Sequence, residues 1–560
     1  MLMKTKMATL SRTSLNLIAS MFELQYVATY LALWYLFIQF CCLATWVVPW
    51  YVLVTSLVIG YRYFWCENLQ IPRQEDKDCL VVIIGSGFAG ICAAVRLKLQ
   101  GVPFIVLEKA ESLGGTWLNN QYPGNGCDTM VHMYVYSFFQ SNKWTRMLEG
   151  GSSILAYLHQ VSDHFQLLQH LKFNTKVEQC VFNETTSKWT VTTSTGESIQ
   201  CNFIISAVGF AHIPNMPNIK GMDKFEGDIF HTSKWPKDYE CKNKRVALVG
   251  TGCSGIQVMP YLARRCQQLC VLQRKAAYVL PKFDLIFPDV IKQLFKNLPF
   301  SMILLRWYIF VRLEMIYFLA LIRNSHTNFL LQFIVKKIMS FQVEDPKLKD
   351  KLIPDYVLGC KRITISSDYI SSFNQPNVQL IDTKIREITK DTILTEDGHS
   401  VAVDTIILAT GFNALKSIAG DMKIVCPSDG KTLSEIWNDD PTAFLGTCRP
   451  GFPNFFTLLG PGTELGHNSV VWMAEQQMYL ISKLISRVQK KKLKQVDVTQ
   501  KAFDEFQVGF QRDLRKSVFD EPCQSWYQNE DGFSFLTWPS HCLKFWWKTR
   551  TYKNSFFQFK

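Results

Sequence analysis

Cys79-Leu-Val-Val-Ile-Ile-Gly85-Ser-Gly87-Phe88-Ala89-Gly90 decides the fold. An apolar run of strand length ends in glycines spaced G-x-G-x-x-G, and Ile91–Leu99 continues with helical periodicity. A buried strand, a tight turn and a helix N-terminus together cradle a pyrophosphate, because the first N–H groups of the helix point at the anion. Phe104-Ile-Val-Leu107 reads as the next parallel strand, and Glu108 closes it 23 residues after Gly85. A carboxylate at that spacing accepts hydrogen bonds from ribose hydroxyls, with Lys109 beside it.

The pattern recurs in Arg245-Val-Ala-Leu-Val-Gly250-Thr251-Gly252-Cys253-Ser254-Gly255-Ile-Gln257. Here the following strand, Cys270-Val-Leu-Gln273, ends in Arg274 instead of an acid. A guanidinium matches a 2′-phosphate in charge and fork geometry, whereas an acid would repel it, so the second site is expected to take NADPH. Nicotinamide passes hydride to flavins, which makes FAD the economical ligand of the first site. Phe203-Ile-Ile-Ser-Ala-Val-Gly209 and Thr405-Ile-Ile-Leu-Ala-Thr410-Gly411 read as the segments linking the two units. The expected fold class is α/β, with two Rossmann-like dinucleotide-binding domains, a helical insert, and an N-terminal transmembrane helix or helical hairpin.

At 560 residues the chain exceeds the ~250–300 at which one core stops growing. The net charge of +13 is spread along it, with only Lys490–Lys492 forming a tight run, so no nucleic-acid partner is expected. Seventeen scattered cysteines without a C-x-x-C argue against a disulfide framework and against a metal site; buried free thiols in a reducing compartment are expected. From Leu24 to Tyr61 there are 38 residues without a charge, divided by Pro49, where one membrane span needs roughly 20. Lys4, Lys6 and Arg12 precede this run and Arg62 follows it, so charge does not choose between one pass and two.

The domain reading is a basic segment 1–23, a membrane anchor 24–61, a linker 62–77, a first FAD part 78–212, an NADP domain 213–403 with a helical insert 285–343, a second FAD part 404–545 and a basic aromatic tail 546–560. Met302–Ile322 is apolar but contains Arg306, Arg312 and Glu314, which makes it a poor span. Either the insert packs on the NADP domain, or it lies on a bilayer and admits a lipophilic substrate, with the Phe545-Trp-Trp segment at the same interface. A catalytic domain on the cytosolic side of a membrane is expected, that of the endoplasmic reticulum in a eukaryote.

Three further motifs carry a family resemblance. Gly114-Gly115-Thr116-Trp117 with Tyr122-Pro-Gly124 and Asp128 resembles the G-G-x-W-x-x-x-x-[FY]-P-G-x-x-x-D signature of Baeyer–Villiger monooxygenases, within the class B flavin monooxygenases. Phe225-x-Gly227-x-x-x-His231-x-x-x-Trp235-Pro236 is similar to their second signature, and Gly359-Cys-Lys361-Arg362 resembles the segment bearing their active-site arginine. The likeness runs from about Leu80 to Trp538. Lys275 departs from it, standing where relatives often have Thr or Ser beside the 2′-phosphate.

The resemblance implies that NADPH reduces FAD, that O₂ gives a C4a-peroxyflavin, and that this attacks a ketone to give an ester or lactone. It implies Arg362 as the catalytic cation, Asp128 as its partner, Lys361 at the 2′-phosphate, and His231 and Trp235 at a hinge between domains. Oxygenation of amines or sulfides is the alternative, and an NADPH oxidase is a further one.

Overall fold

In the computed structural model, which describes residues 80–560, Val81–Ile84 is the middle strand of a five-stranded parallel sheet. Across the sheet the order is Phe455–Thr457, Phe203–Ser206, Val81–Ile84, Phe104–Leu107 and Leu171–Lys172. All four side chains of Val81–Ile84 are buried, as in a strand covered on both faces. Helix α1 (Phe88–Gln100) leaves the glycine turn, and a Cβ on Gly90 would run into the Gly85 carbonyl. Only glycine lets the helix start that close to the strand end.

The second unit repeats this plan. Its parallel sheet has the order Val378–Ile381, Gln268–Leu272, Arg245–Val249, Thr405–Leu408, Asp228–His231, and α2 (Cys253–Ala263) follows its own glycine turn. Thr405–Leu408 therefore lies between two strands of the NADP sheet, which moves the expected boundary at 403/404 to beyond Gly411. Each unit also carries a three-stranded antiparallel meander ahead of its linking strand, Val177–Cys201 in the first and Ile385–Ala402 in the second.

The insert forms α3 (Asp289–Asn297), α4 (Phe300–Ala320) and α5 (His326–Phe341). It does not pack on the NADP unit alone. Ile309, Phe310 and Leu313 of α4 join the core of the FAD unit, while Val335 and Met339 of α5 join that of the NADP unit. The charges that interrupt α4 explain its orientation, since a buried charge must find partners. Arg306 donates to the carbonyls of His132 (2.7 Å) and Val135 (2.9 Å) and faces Glu475 on α6 (Val470–Lys490). Glu314 accepts from Asn468 Nδ2 (2.9 Å), from His467 Nε2 (3.2 Å) and from the Cys542 amide (2.8 Å) that opens α7 (Cys542–Arg550).

The tail also proves to be part of the folded body. Phe545 on α7 is fully buried, and Phe557–Phe559 pairs antiparallel with Val496–Val498. Among the described residues no helix is long and apolar enough to cross a membrane. The anchor expected over 24–61, with its flanks 1–23 and 62–77, lies outside the described residues.

One cysteine expectation fails. Cys360 and Cys523 form a disulfide across 163 residues of sequence, with their Cα atoms 6.4 Å apart. No spacing pattern marks it, because the two segments meet only through the fold. Of the other described cysteines, all but Cys253 are buried.

Candidate active site

The first glycine turn is reinforced by a second one. Gly114 N donates to Ser86 O (3.1 Å), and a Cβ on Gly115 would stand 2.9 Å from the Gly87 Cα, so the two turns interlock as a side-chain-free cradle. Phe88 and Ala89 are buried behind it, Thr116 begins the short helix Thr116–Asn119, and Trp117 packs edge-on against Tyr134. Glu108 is buried at the neighbouring strand end. Its Oε2 accepts from Ser86 N (2.8 Å) and Ser86 Oγ (2.7 Å), and its Oε1 accepts only from Ala110 N (2.9 Å). Oε1 thus retains acceptor capacity for a ribose hydroxyl, and the cradle fits the pyrophosphate of FAD. Lys109 turns instead toward Asp421, 3.8 Å away.

At the second site Arg274 and Lys275 are exposed just past the strand Gln268–Leu272. Burial lowers the pKa of Lys361, and repulsion from Lys275 and Arg274 lowers it further. Three cations thus converge beyond a strand whose partner glycine turn, Gly250–Gly255, offers the helix N-terminus. Lys361, 87 residues from Arg274 in sequence, joins this cluster from another segment. Such a cluster fits the 2′-phosphate of NADPH.

The two units meet where α2 faces the Tyr122–Asp128 segment. Gly124 has φ +84°, and a Cβ there would strike the Gln257 carbonyl. Tyr122 donates to Gln257 Oε1 (2.8 Å), and Gln257 Nε2 donates to Gly126 O (3.0 Å) and toward Asp128 Oδ1 (3.5 Å). Gln257, expected at a cofactor, therefore ties the two nucleotide units together. Beside it, Thr251 Oγ1 reaches Lys275 O (3.4 Å) and Cys253 Sγ lies 3.3 Å from Thr364 Oγ1. Burial raises the Tyr122 pKa, and the Ser254 side chain pulls it back down.

Arg362 lies at this junction. Its Nε is 3.7 Å from Asp128 Oδ2, across 234 residues of sequence, and its Nη1 is 3.5 Å from Glu464 Oε1. Sequence reasoning missed Glu464. It is fully buried, its Oε2 has no hydrogen-bond partner, and burial pushes its carboxyl up to about 7 although Arg362 pulls the other way. Burial also raises Asp128, against the pull of Arg362 and Gln257. For Arg362 burial works against the charge, but Cys253, Asp128 and Glu464 outweigh it and hold the guanidinium well above its usual range. The Tyr527 hydroxyl, also buried and without a hydrogen-bond partner, adds to that pull. The disulfide fastens the segment immediately before Lys361 and Arg362 to the 523–527 loop that carries Tyr527. An acid in the short glycine-bounded stretch Gly462–Gly466 was the only sequence signal for Glu464.

His231 sits elsewhere and does other work. Its Nδ1 accepts from the Ser233 amide (3.1 Å), which leaves the proton on Nε2 to donate to Gly411 O (3.1 Å). Burial lowers its pKa, so the ring is neutral. It pins the end of Asp228–His231 to the linker after Thr405–Leu408, where Thr410 Oγ1 donates to Asn215 O (2.7 Å). Trp235 packs edge-on against Phe230 and Tyr239. His231→Ala should cost about 1–3 kcal/mol by leaving two buried groups unpaired. Thermal unfolding would show this as a lower Tm with an unchanged pH–activity profile; loss of one limb of that profile would make His231 an acid–base group instead.

Among the described residues one group has the make-up of a metal site: Glu314, His467 and Cys542, whose ligand atoms lie within 4.8 Å of one another. Both Glu314 oxygens already accept hydrogen bonds there, so the group works as a clamp between α4, α7 and the 462–469 loop.

The family profile of flavin-binding monooxygenase-like proteins matches residues 78–417, more than half of the chain. The chain belongs to the flavin-binding monooxygenase-like family. Within this family it is similar to a Baeyer-Villiger monooxygenase of Streptomyces coelicolor, 34% identical over 85% of this chain and 92% of the relative. A Baeyer-Villiger monooxygenase of Pseudomonas aeruginosa is 33% identical over 86% and 91%. Among solved structures, closed cyclohexanone monooxygenase superposes with a TM-score of 0.78 at 27% identity, over 86% of this chain and 99% of that one. Oxidized steroid monooxygenase bound to NADP gives 0.76 at 28% identity over the same shares. The chain is an NADPH-dependent flavin monooxygenase of the Baeyer–Villiger type, and its cofactors are FAD and NADPH.

Proposed function

We propose that this flavin monooxygenase inserts one oxygen atom beside the carbonyl of a lipophilic ketone, giving an ester or lactone at the expense of NADPH and O₂. The observation that carries this reading is Arg362, a guanidinium placed between Asp128 and Glu464 where the two nucleotide units meet. FAD, when bound, supplies the chemistry that takes hydride from NADPH and activates O₂. The chain's own residues hold the charge. Oxygen insertion beside a carbonyl builds negative charge on the carbonyl oxygen, and a preorganised donor in a site shielded from water stabilises that charge most. Arg362 provides N–H donors without exchanging a proton, because its pKa exceeds ~12. Asp128 orients it from the FAD side, and the disulfide limits how far its loop can move.

Glu464 gives this reading a pH signature. Below about 7 it is protonated, and the Arg362–Asp128 pair is neutral overall. Above about 7 its ionisation adds a negative charge beside the oxygen that must become negative. Ester formation per NADPH consumed should therefore fall as pH rises through 7, with hydrogen peroxide making up the difference. Glu464→Gln should flatten that step, and a variant retaining the step unchanged would remove Glu464 from the site's electrostatics.

Oxygenation of amines or sulfides is the second reading, and the paired guanidinium argues against it, since neutral amines and thioethers develop no oxyanion. Product analysis of the purified enzyme with NADPH, a lipophilic ketone and a thioether separates the two. Ester or lactone from the ketone is expected, and sulfoxide alone would overturn the proposal. The uncharged run 24–61 completes the reading as an anchor holding the catalytic body on the cytosolic side of a membrane. The protein should then stay with the membrane fraction after an alkaline wash.

A further inference from the structure

Among the described residues, fourteen of the 21 exposed large apolar side chains lie from Phe283 to Phe341, a stretch of about an eighth of the described chain. They follow helical spacing. On α3 and just past it Val290, Leu294 and Leu298 recur every fourth residue at 78%, 41% and 58% exposure, while Phe295 faces the core. On α4 Phe300, Leu304 and Tyr308 do the same at 60%, 45% and 56%, opposite the buried Met302, Ile309 and Leu313. On α5 Phe329 and Phe333 stand at 73% and 55%, opposite Val335 and Met339. Each helix thus has one face in the body and a second apolar face outside it. α3 packs on α4 and α4 on α5, so the stripes lie on neighbouring helices. Exposed apolar surface concentrated in this way marks an interaction site.

Charge identifies the partner. Asp289 opens α3 and pairs with Lys292 (3.2 Å); beyond it, as far as Phe341, the one acid is Glu314, and it is buried. The remaining charges at the surface of this stretch are positive, and they include Lys296, Arg312, Lys336 and Lys337. Lys337 lies over the Phe333 ring, with its stem along apolar surface and its ammonium at the edge. Apolar stripes bordered by lysine are the pattern of helices that lie in the headgroup layer of an anionic membrane. A second copy of this chain is the poorer fit, because a two-fold interface would bring these lysines against their own counterparts.

We propose that α3, α4 and α5 dock the catalytic body on an anionic lipid bilayer through Val290, Leu294, Leu304, Tyr308, Phe329 and Phe333. This contact is separate from the anchor and from the oxygenation chemistry, and it can be read without either. The full-length protein is mixed with vesicles of phosphatidylcholine and phosphatidylserine containing a phospholipid with a photoactivatable acyl chain. After illumination, peptides from 290–333 should carry lipid adducts, and labelling confined to other segments would overturn the proposal. In a second experiment the protein begins at residue 78. That body matches 99% of the cyclohexanone monooxygenase chain and so has the complete fold of a relative solved without the 24–61 run. It should sediment with phosphatidylserine vesicles, and Leu294→Glu/Leu304→Glu/Phe333→Glu should lower the bound fraction at least about tenfold while flavin absorbance persists. A body that ignores such vesicles refutes the docking. So does a wild-type dimer that the triple variant converts to a monomer with no change in vesicle binding, which would assign the face to a second copy.

Discussion

Arg362→Ala should leave NADPH oxidation measurable and lower ester formation by about two to three orders of magnitude, the usual cost of removing one preorganised oxyanion donor. The two half-reactions separate because they use different parts of the protein. Hydride transfer depends on the cofactors lying in their glycine cradles, whose backbone hydrogen bonds do not use Arg362, although Cys253 of the second cradle lies within its electrostatic reach. Oxygen insertion depends on a positive charge at the junction. Without the guanidinium, Glu464 becomes a buried acid with no cation, and Asp128 keeps only the weaker pull of Lys282. Glu464, already held near 7, takes up a proton, which limits the damage to folding. The variant should therefore purify yellow, reduce its flavin with NADPH in rapid mixing, and release hydrogen peroxide in place of ester. Arg362→Lys tests the finer point. A lysine keeps the charge but loses the fork that spans Asp128 and Glu464, so it should recover only part of the yield. Full product yield from Arg362→Ala would remove it from the oxygen chemistry.

The dinucleotide sites were legible in the sequence because their geometry is made of backbone. Gly90 must lack a side chain for α1 to start where it does, and that demand fixes a residue type at a fixed spacing. Arg274 was legible for a related reason, as a charge at the end of a strand whose position the glycines had already set. The Arg362–Asp128 pair was reached through family motifs, since nothing local brings together residues 234 apart. Glu464 and the Cys360–Cys523 disulfide had no comparable signal. Each is defined by where its segment lands in three dimensions, and neither leaves a spacing pattern. Arg306 and Glu314 marked α4 as a poor membrane span, and no described helix is long and apolar enough to be one. What the sequence did not show is that these two charges pull one face of α4 into the FAD unit, leaving Leu304 and Tyr308 outside.

Arg274→Ala should raise the KM for NADPH about ten- to hundredfold, the worth of one charge-assisted hydrogen bond of roughly 1.5–3 kcal/mol, and leave the KM for NADH within about twofold. The contrast follows from charge. NADH has no 2′-phosphate, so it gains nothing from Arg274, while NADPH brings a dianion to a place where Arg274, Lys275 and Lys361 converge. In the free protein these cations repel one another, which is part of why Lys361 gives up its proton below the ordinary lysine range. Removing Arg274 relieves some of that repulsion and lets Lys361 hold its charge to higher pH. The loss in affinity should therefore be smaller than the sum expected from Arg274 and Lys361 acting alone, and a double variant with Lys361→Ala should show that coupling. Added salt should raise the KM for NADPH in the wild type more steeply than in Arg274→Ala, because fewer fixed charges remain to be screened. Equal changes for NADPH and NADH would mean that Arg274 meets no 2′-phosphate. The cation cluster would then be a surface feature of the second unit, and discrimination between the two cofactors would have to come from elsewhere along α2.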